Sequence, residues 1–188
     1  AEPEEIIELL DKYKTRELPV KKRHLLEVHY DGEENLIAFN DVLLIKETQS
    51  RLIHLDVEVN GESLSTVPCD GMIISTPSGS TAYNLSAGGP LIYPSLPAFV
   101  LTPICPHSLS ARPMALPLDA EIVLRLNPLK DREDAILSVD GQININVAPE
   151  RDINIKNASH SVNICEVHPE TYFKKLNSVF QWAAPPRR

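Results

Sequence analysis

The residues best suited to chemistry lie in one stretch, which runs from Asp70 to Pro90. An apolar segment there leads into a turn dense in hydroxyl groups and small residues, and a short helix is predicted to follow it. Ser78, Ser80 or Thr81 is placed to cap that helix, which would leave backbone N–H groups available to an anion or a polar ligand. An ordinary capped helix between two sheets explains the same pattern equally well.

Familiar catalytic templates are missing from the chain. The sequence has no G-x-S-x-G elbow, no S-x-x-K starting at Ser78 or Ser80, and no Gly-Lys-Ser/Thr phosphate loop. The six histidines show no spacing typical of metal ligands, and surface or hydrogen-bonded histidines account for them better. Three cysteines without a C-x-x-C pair indicate thiols in a reducing compartment. Neither a Ser/Lys acyl enzyme nor a zinc ribbon is predicted.

The composition is that of a folded domain with an acidic surface. The chain has 188 residues, 43% of them hydrophobic, and 18 basic against 26 acidic residues give a net charge of −8. The acidic balance argues against nucleic acid or an anionic membrane as the main partner, because both attract clustered Lys and Arg. No apolar run approaches the roughly 20 residues needed to span a bilayer. No signal peptide is expected either, so a cytoplasmic location is predicted.

The elements that must position these residues are mostly short strands. Apolar and polar residues alternate over 53–59 and 143–147, and Asn60-Gly61 and Asp140-Gly141 provide turn residues that tolerate positive φ. Further strands are predicted at Leu25–Tyr30, Leu36–Asn40, Val42–Ile45, Met72–Ser75, Ile122–Leu126, Ile136–Asp140 and Val162–Val167. Many short strands separated by turn signals indicate an all-β sandwich or barrel.

Besides the short helix after the hydroxyl-rich turn, one helix is predicted near each end of the chain. Apolar residues recur at helical spacing after Pro3, at Ile6, Leu9, Leu10 and Tyr13. A second helix is predicted from Pro169 to about Leu176, with a loose tail after it. An amphipathic helix needs a partner for its apolar stripe, so a further segment upstream is expected. We expect a connecting helix and linker over 1–20, a β domain over 21–168, and a helix with a tail over 169–188.

Four stretches of the sequence closely resemble the signature of the NAD kinases. The longest runs from Asp70-Gly71 through Thr76-Pro77-Ser78-Gly79-Ser80-Thr81-Ala82-Tyr83 to Ser86-Ala87-Gly88-Gly89-Pro90. The others are Ala38-Phe39-Asn40-Asp41-Val42, Thr102-Pro103-Ile104-Cys105-Pro106-His107-Ser108-Leu109 with Arg112-Pro113, and Ser138-Val139-Asp140-Gly141-Gln142. Their order and spacing are similar to those of the family over nearly the whole chain.

The resemblance implies a fold and a reaction. NAD kinases have an N-terminal α/β domain followed by a β-sandwich. They transfer the γ-phosphate of ATP to the 2′-hydroxyl of the adenosine ribose of NAD, with a divalent metal such as Mg²⁺. This chain is then expected to be the mainly β, sandwich-like C-terminal domain of that two-domain fold, with a short helix at each end. Most members are dimers or tetramers that share the dinucleotide site between subunits, so a homo-oligomer that binds NAD, NADP and ATP is expected.

The resemblance also implies a set of NAD-binding residues. Asn40 and Asp41 match an Asn-acidic pair on the adenine side, where the family often has Glu in place of Asp. Asp70 matches an acidic residue at the nicotinamide end, and Cys105 and His107 match another wall of that end. The remaining positions are Ser78, Thr81, Ala82, Tyr83, Ser86, Asp140 and Gly141. Neutral donors and acceptors suit adenine and ribose, and a carboxylate suits the positive nicotinamide ring.

One motif of the family is absent from this sequence. NAD kinases carry Gly-Gly-Asp-Gly in the first domain, where the Asp takes the proton of the 2′-hydroxyl and the glycines face ATP. Asp31-Gly32, Asp70-Gly71 and Asp140-Gly141 all lack the preceding glycines. We therefore expect the general base to lie outside this chain, no metal bound by the chain alone, and little or no turnover by it.

Alternatives stay open from the sequence alone. The chain is either half of a kinase or a non-catalytic module for dinucleotide binding and oligomerisation. A related lipid kinase is a further alternative, which the neutral hydroxyl-rich turn and the acidic charge disfavour. Ordinary turns would also explain Asn40-Asp41, Asp70-Gly71 and Asp140-Gly141 without a ligand.

Overall fold

The fold is described from a computed structural model of the chain. It describes residues 3–15, 18–32, 34–47, 52–127, 135–149, 151–166 and 172–181. The chain divides into two units, one formed by residues 22–162 and the other by residues 1–21 together with 163–188. The larger unit contains nearly all residues of the sheets, and the smaller unit contains the two longer helices.

The described residues form twelve strands. They are β1 (Val20–Tyr30), β2 (Leu36–Ala38), β3 (Asp41–Lys46), β4 (Ile53–Val59), β5 (Glu62–Cys69), β6 (Gly71–Ser75), β7 (Ala98–Ile104), β8 (Met114–Pro117), β9 (Ile122–Leu126), β10 (Ala135–Val139), β11 (Ile143–Val147) and β12 (Ile153–Cys165). They build two six-stranded sheets, the first in the order β2–β1–β12–β9–β4–β5 and the second in the order β11–β10–β3–β6–β7–β8. The predicted mainly β fold is confirmed.

The core lies between the two sheets because each strand turns one apolar face inward. In the first sheet, Ile53, Leu55 and Val57 of β4 are buried while the residues between them are only half-buried, as period-two alternation requires. The second sheet contributes residues such as Leu44 and Phe99 to the same hydrophobic cluster. A single cluster fed by both sheets is the arrangement of a β-sandwich.

The middle of the second sheet is covered on its other face as well. Every residue of β6 is buried, which is typical of a strand with both faces packed. Part of this cover comes from the segment after β6, which contains a 3₁₀ turn (Gly79–Thr81) and the short helix α2 (Tyr83–Ser86). The Thr102 hydroxyl on β7 donates a hydrogen bond of 2.7 Å to Oδ1 of Asn84 in that helix. The hydroxyl-rich segment is therefore packed onto the sheet.

Strand register gives the second sheet two chemically distinct ends. Asp41 at the start of β3 pairs with Ser75 at the end of β6, whereas Ile45 pairs with Gly71. The five residue steps along β3 to Lys46 separate the two ends by about 16 Å, at a rise of roughly 3.3 Å per residue. Residues that follow β6 or precede β3 therefore lie at one end, and residues that precede β6 lie at the other.

Some predicted elements differ from those observed. β2 stops at Ala38 because the chain turns before β3, and the strand predicted at Val162–Val167 is part of the longer β12, with residue 167 outside the described residues. No bounds were predicted for β5, and β7 and β8 were not predicted; each contains a proline (Pro68, Pro103 and Pro117), a residue that normally interrupts strands. The late helix is α3 (Tyr172–Phe180), and the start of the predicted helix and the predicted tail lie outside the described residues.

The smaller unit carries α1 (Pro3–Lys14) and α3, one near each end of the chain, as predicted. Both helices expose large apolar side chains, including Ile7 and Val179. Lys21 forms an ion pair of 2.7 Å with Glu166, and the Glu166 N–H donates to the carbonyl of Pro19. Within the described residues, none of the helices has the length and apolar character required to cross a membrane.

Candidate functional site

A tight turn between β10 and β11 brings a carboxylate to the Asp41 end of the second sheet. Asp140 and Gly141 have φ values of 50° and 66°, and the N–H of Gln142 donates to the carbonyl of Val139 over 3.0 Å. Both residues thus take the left-handed conformation that two-residue hairpin turns require, and Asp and Gly tolerate it. The turn predicted at Asp140-Gly141 is confirmed.

The side chain of Asp140 binds the backbone of the neighbouring turn. Its Oδ2 accepts a hydrogen bond of 2.7 Å from the Phe39 N–H, and its Oδ1 accepts bonds of 2.7 Å and 3.0 Å from the N–H groups of Asn40 and Asp41. The Asp140 N–H in turn donates to the Asp41 carbonyl. Hydrogen bonds to an ionised acceptor are stronger than neutral ones. Asp140 therefore fixes the backbone that carries the Asn40-Asp41 pair.

The hydroxyl-rich segment holds the same turn from its carbonyl side. The Thr76 N–H donates to the Asn40 carbonyl over 2.9 Å, and the Thr76 hydroxyl donates to the Phe39 carbonyl over 2.7 Å. A Cβ atom on Gly79 would lie 2.0 Å from the Asn40 carbonyl oxygen, so only glycine permits this approach. The turn of Asn40 is thus clamped between Asp140 and the segment that follows β6.

The other hydroxyl and amide groups of this segment serve its own fold. The Ser80 hydroxyl donates to the Pro77 carbonyl and accepts from the Ile92 N–H, and the Asn84 amide donates to the carbonyls of Ser80 and Pro90. The prediction that Ser78, Ser80 or Thr81 caps a helix is wrong. Neither the 3₁₀ turn nor α2 has a side-chain cap, and α2 is only four residues long. Buried polar groups are instead paired within the segment.

A cavity of about 250 Å³ opens at the Asp41 end of the second sheet. We call it the Asp41 cavity. Six of the predicted NAD-binding residues line it, namely Asn40, Asp41, Ala82, Tyr83, Asp140 and Gly141. Leu43 and Ser138 also line it and were not predicted. The structure thus brings together residues that lie about 100 positions apart in the chain.

Asp41 carries the acidic group of this cavity. Its side chain is only 7% exposed, and it forms no hydrogen bond with any described residue. Burial raises the pKa of Asp41 to about 6, and the nearby Asp140 carboxylate contributes to the rise. The side-chain amide of Asn40 likewise forms no hydrogen bond with any described residue, and only the backbone N–H and carbonyl of Asn40 are hydrogen-bonded. The cavity therefore offers a carboxyl group and an amide to a ligand.

The remaining predicted residues of the hydroxyl-rich segment lie close to the cavity in sequence but do not line it. Ser78 precedes the 3₁₀ turn, and its carbonyl accepts a hydrogen bond from the Thr81 hydroxyl. Ser86 is exposed at the end of α2, one turn beyond Tyr83. Tyr83 is 44% exposed, so a large part of its side chain is open to solvent or to a ligand.

Asp70, Cys105 and His107 lie at the opposite end of the second sheet. Asp70 immediately precedes β6, and its N–H donates to the carbonyl of Ile104, the last residue of β7. Its Oδ1 accepts a hydrogen bond of 2.6 Å from Nζ of Lys46, so a lysine already compensates part of the charge of this carboxylate. Cys105 and His107 are exposed. Within one chain, these residues do not join the Asp41 cavity.

Leu43 and Ser138 could have been found from strand alternation. Val42 and Leu44 point into the core, so Leu43 lies on the same face of β3 as Asp41. Ser138 is the cross-strand partner of Leu43 and occupies the same face of β10. The sequence signal was present, but the register that pairs β3 with β10 was needed to use it.

Comparisons with known proteins identify the family. Residues 39–167 match the model of the ATP-NAD kinase C-terminal domain, and the chain belongs to this family. The NAD kinases of Geotalea daltonii and Sulfurimonas denitrificans are 40% and 36% identical to it over 167 and 182 residues. These alignments cover 87% and 95% of this chain but only 58% and 63% of the two relatives. The chain thus spans less than two thirds of these relatives.

Solved structures show the same fold. Yeast NADH kinase complexed with NADH superposes with a TM-score of 0.87 and 29% identity, covering 98% of this chain and 55% of that one. An NAD kinase from Archaeoglobus fulgidus in complex with ATP superposes with a TM-score of 0.73 and 23% identity, covering 93% and 64%. The sandwich described above is therefore the fold of NAD kinase C-terminal domains.

We predict that Asp41→Asn stabilises the fold in a pH-dependent manner. The pKa of Asp41 is raised from 3.8 to about 6, so the native state disfavours the ionised form. The cost of ionisation develops as the pH rises from about 4 to about 6, and it is fully present above that range. The substitution should therefore raise the free energy of unfolding at about pH 8 by on the order of 2 kcal/mol, less than the whole pKa difference because water in the cavity screens the charge, and by much less at about pH 4.

Urea unfolding at both pH values measures this effect. Asp119→Asn, at an exposed position after β8, is the matched control and should show no pH-dependent gain. An equal effect of Asp41→Asn at both pH values would contradict the prediction.

Proposed function

We propose that this chain is the NAD-binding half of a NAD kinase, which phosphorylates the 2′-hydroxyl of the adenosine ribose of NAD with ATP to make NADP. The observation that carries the proposal is the Asp41 cavity, where an anchored turn presents an unengaged amide and a carboxyl group beside an exposed tyrosine ring. Membership of the family and the fold shared with a NADH-bound kinase support it.

Each cavity residue has a task that its chemistry suits. The Asn40 amide can donate to and accept from the edge of a base, and Asp41 can accept from a hydroxyl or amino group. The Tyr83 ring offers an aromatic face for stacking. These groups bind and orient the nucleoside, and they provide neither a phosphate cradle nor a general base. We assign proton transfer and ATP binding to a part of the protein beyond these residues.

We further propose that the NAD site is completed by a second copy of the chain in a homo-oligomer, a dimer or a tetramer. The resemblance to the NAD kinases implies that the nicotinamide end contacts Asp70, Cys105 and His107. These residues lie about 16 Å along the sheet from the Asp41 cavity. A neighbouring copy can bring its own Asp70 end to the Asp41 cavity. Ser78, Thr81 and Ser86 would then contact the dinucleotide at the rim of the cavity.

ATP and a divalent metal such as Mg²⁺ would supply the phosphoryl group and neutralise its charge in the complete enzyme. Among the described residues, no three His, Cys, Asp or Glu side chains cluster in a way that could hold a metal ion. The described residues thus do not fit a metal site, and we route no step through one. The acidic charge and the free thiols of Cys105 and Cys165 favour a cytoplasmic location.

The binding role is tested by calorimetric titration of NAD and NADP into the chain. We expect saturable binding that Asn40→Ala weakens at least about tenfold, because the ligand loses a hydrogen-bonding partner inside a partly buried cavity. Asn154→Ala, at an exposed position on β12, is the matched control and should bind like the unsubstituted chain. Equal NAD affinity of Asn40→Ala and the unsubstituted chain would place the ligand elsewhere.

The division of labour is tested by a coupled assay for NADP formation. The chain alone, with ATP and Mg²⁺, should show no sustained turnover, because it lacks a general base and a phosphate cradle. Addition of the first domain of a relative that contains Gly-Gly-Asp-Gly should restore NADP formation. Sustained turnover by the chain alone would contradict this division of labour. Tight NAD binding without turnover in the combined sample would indicate that the chain is a non-catalytic module.

A further inference from the structure

Seven polar residues are buried within the described part of the chain, and five of them are hydrogen-bonded within the protein. The five are Ser75 to the Thr76 carbonyl, Thr76 to the Phe39 carbonyl, Ser80 to the Pro77 carbonyl, Asn84 to the Ser80 carbonyl, and Thr102 to Asn84. The other two are Asp41 and Ser138, whose side chains form no hydrogen bond with any described residue. Among the described residues, the one fully enclosed side-chain atom without a hydrogen bond is Asn157 Oδ1, so the oxygens of Asp41 and Ser138 are accessible and are left to water or a ligand.

The two exceptions line the same cavity. Asp41 and Ser138 are each only 7% exposed, and both belong to the wall of the Asp41 cavity. On β10, Leu137 and Val139 point into the core, so Ser138 lies on the opposite face of the strand. Asp41 lies on that same face of the adjacent strand β3, one diagonal step away. The two side chains therefore face the cavity from adjacent strands, and together they form its polar patch.

A buried hydroxyl without a protein partner is unfavourable unless water or a ligand completes its hydrogen bonds. Water can do so while the cavity is open. A ligand that displaces this water must carry groups that replace its hydrogen bonds, or it binds weakly. An ionised Asp41 only accepts hydrogen bonds, and a serine hydroxyl both accepts and donates. The patch is therefore complementary to a ligand group that carries a hydrogen-bond donor.

We infer that Ser138 contacts the substrate and helps determine its specificity. The Ser138 hydroxyl, which lies beside Asp41, accepts a hydrogen bond from a donor group on the adenosine portion of NAD. The inference rests on the proposed function and adds a residue to its site. The cavity of about 250 Å³ is smaller than the roughly 300–1,000 Å³ of pockets that enclose whole ligands. It accommodates one nucleoside group and leaves the rest of the dinucleotide outside. The donor is the adenine amino group or a ribose hydroxyl.

If Ser138 served to stabilise the fold, removal of its hydroxyl would lower the stability of the chain, whereas a ligand-binding role predicts no loss of stability. Thr102 is a buried hydroxyl of the same sheet that is bonded to Asn84, so its removal leaves a buried acceptor unpaired. Removal of the Ser138 hydroxyl leaves no protein group unpaired. Ser138→Ala should therefore keep the urea midpoint of the unsubstituted chain or raise it, whereas Thr102→Val should lower it.

The test combines NAD titration by calorimetry with urea unfolding for each variant. We expect Ser138→Ala to bind NAD about tenfold more weakly with an unchanged or higher urea midpoint. Ser65→Ala, at an exposed position on β5, is the matched control and should leave both quantities unchanged. Retained NAD affinity in Ser138→Ala, or a midpoint lowered as in Thr102→Val, overturns the inference.

Two sets of NAD analogues distinguish the donor. In one analogue hypoxanthine replaces adenine and removes the amino group, and in the others the adenosine ribose lacks its 2′- or 3′-hydroxyl. The effect of Ser138→Ala should disappear with the analogue that lacks the contacted donor, because the contact is then already lost. An undiminished effect of Ser138→Ala with every analogue overturns the inference.

The inference and the proposed function fail in different ways. Loss of NAD binding in Asn40→Ala together with normal binding in Ser138→Ala overturns only the inference. Absence of saturable NAD binding by the unsubstituted chain overturns the binding role of the chain, and the inference with it.

Discussion

The carboxylate of Asp140 accepts hydrogen bonds from three consecutive backbone N–H groups, and the candidate site depends on this interaction. Residues 39–41 are the point where the chain leaves one sheet of the sandwich at β2 and enters the other at β3. With that backbone fixed, the side chains of Asn40 and Asp41 are presented to the cavity. The same negative charge contributes to the raised pKa of Asp41. One residue thus sets both the geometry and the electrostatics of the site.

The most recognisable part of the sequence turns out to be largely scaffold. Thr76 and Gly79 hold the Asn40 turn, and Ser80 and Asn84 bind backbone carbonyls of their own segment. Small and hydroxyl-bearing residues are needed here because the segment lies directly on the second sheet, where larger side chains would not fit and unpaired polar groups would be costly. Only a small number of polar side chains remain available to a ligand, and they line the Asp41 cavity.

Much of the fold follows from local patterns in the sequence. Alternation between 53 and 59 and the Asp140-Gly141 turn were read correctly, because the side-chain period and positive φ are local properties. The strands that contain Pro103 and Pro117 were missed, because proline is tolerated only where the backbone hydrogen bond is not needed. That condition depends on pairing with other strands, and local sequence does not reveal it.

The site was predicted less completely, for the same reason. The resemblance to the NAD kinases drew attention to Asp140, but its three hydrogen bonds to residues about 100 positions away depend on how β10 pairs with β3. Ser138 carries no motif signal as a ligand-binding residue, and only strand register places it beside Asp41. The predicted hydroxyl cap failed because Ser80 and Thr81 found backbone carbonyls as partners instead. Long-range pairing therefore decided which polar groups remain for a ligand.

The central claim is that Asp140 fixes the backbone of residues 39–41, and amide hydrogen exchange tests it most directly. Asp140→Asn keeps one acceptor oxygen and tolerates positive φ, whereas Asp140→Gly tolerates the same φ and removes both oxygens. Exchange of the Phe39 amide should accelerate in both variants, and exchange of the Asn40 and Asp41 amides should accelerate strongly only in Asp140→Gly. Unchanged protection of all three amides in Asp140→Gly would contradict the account.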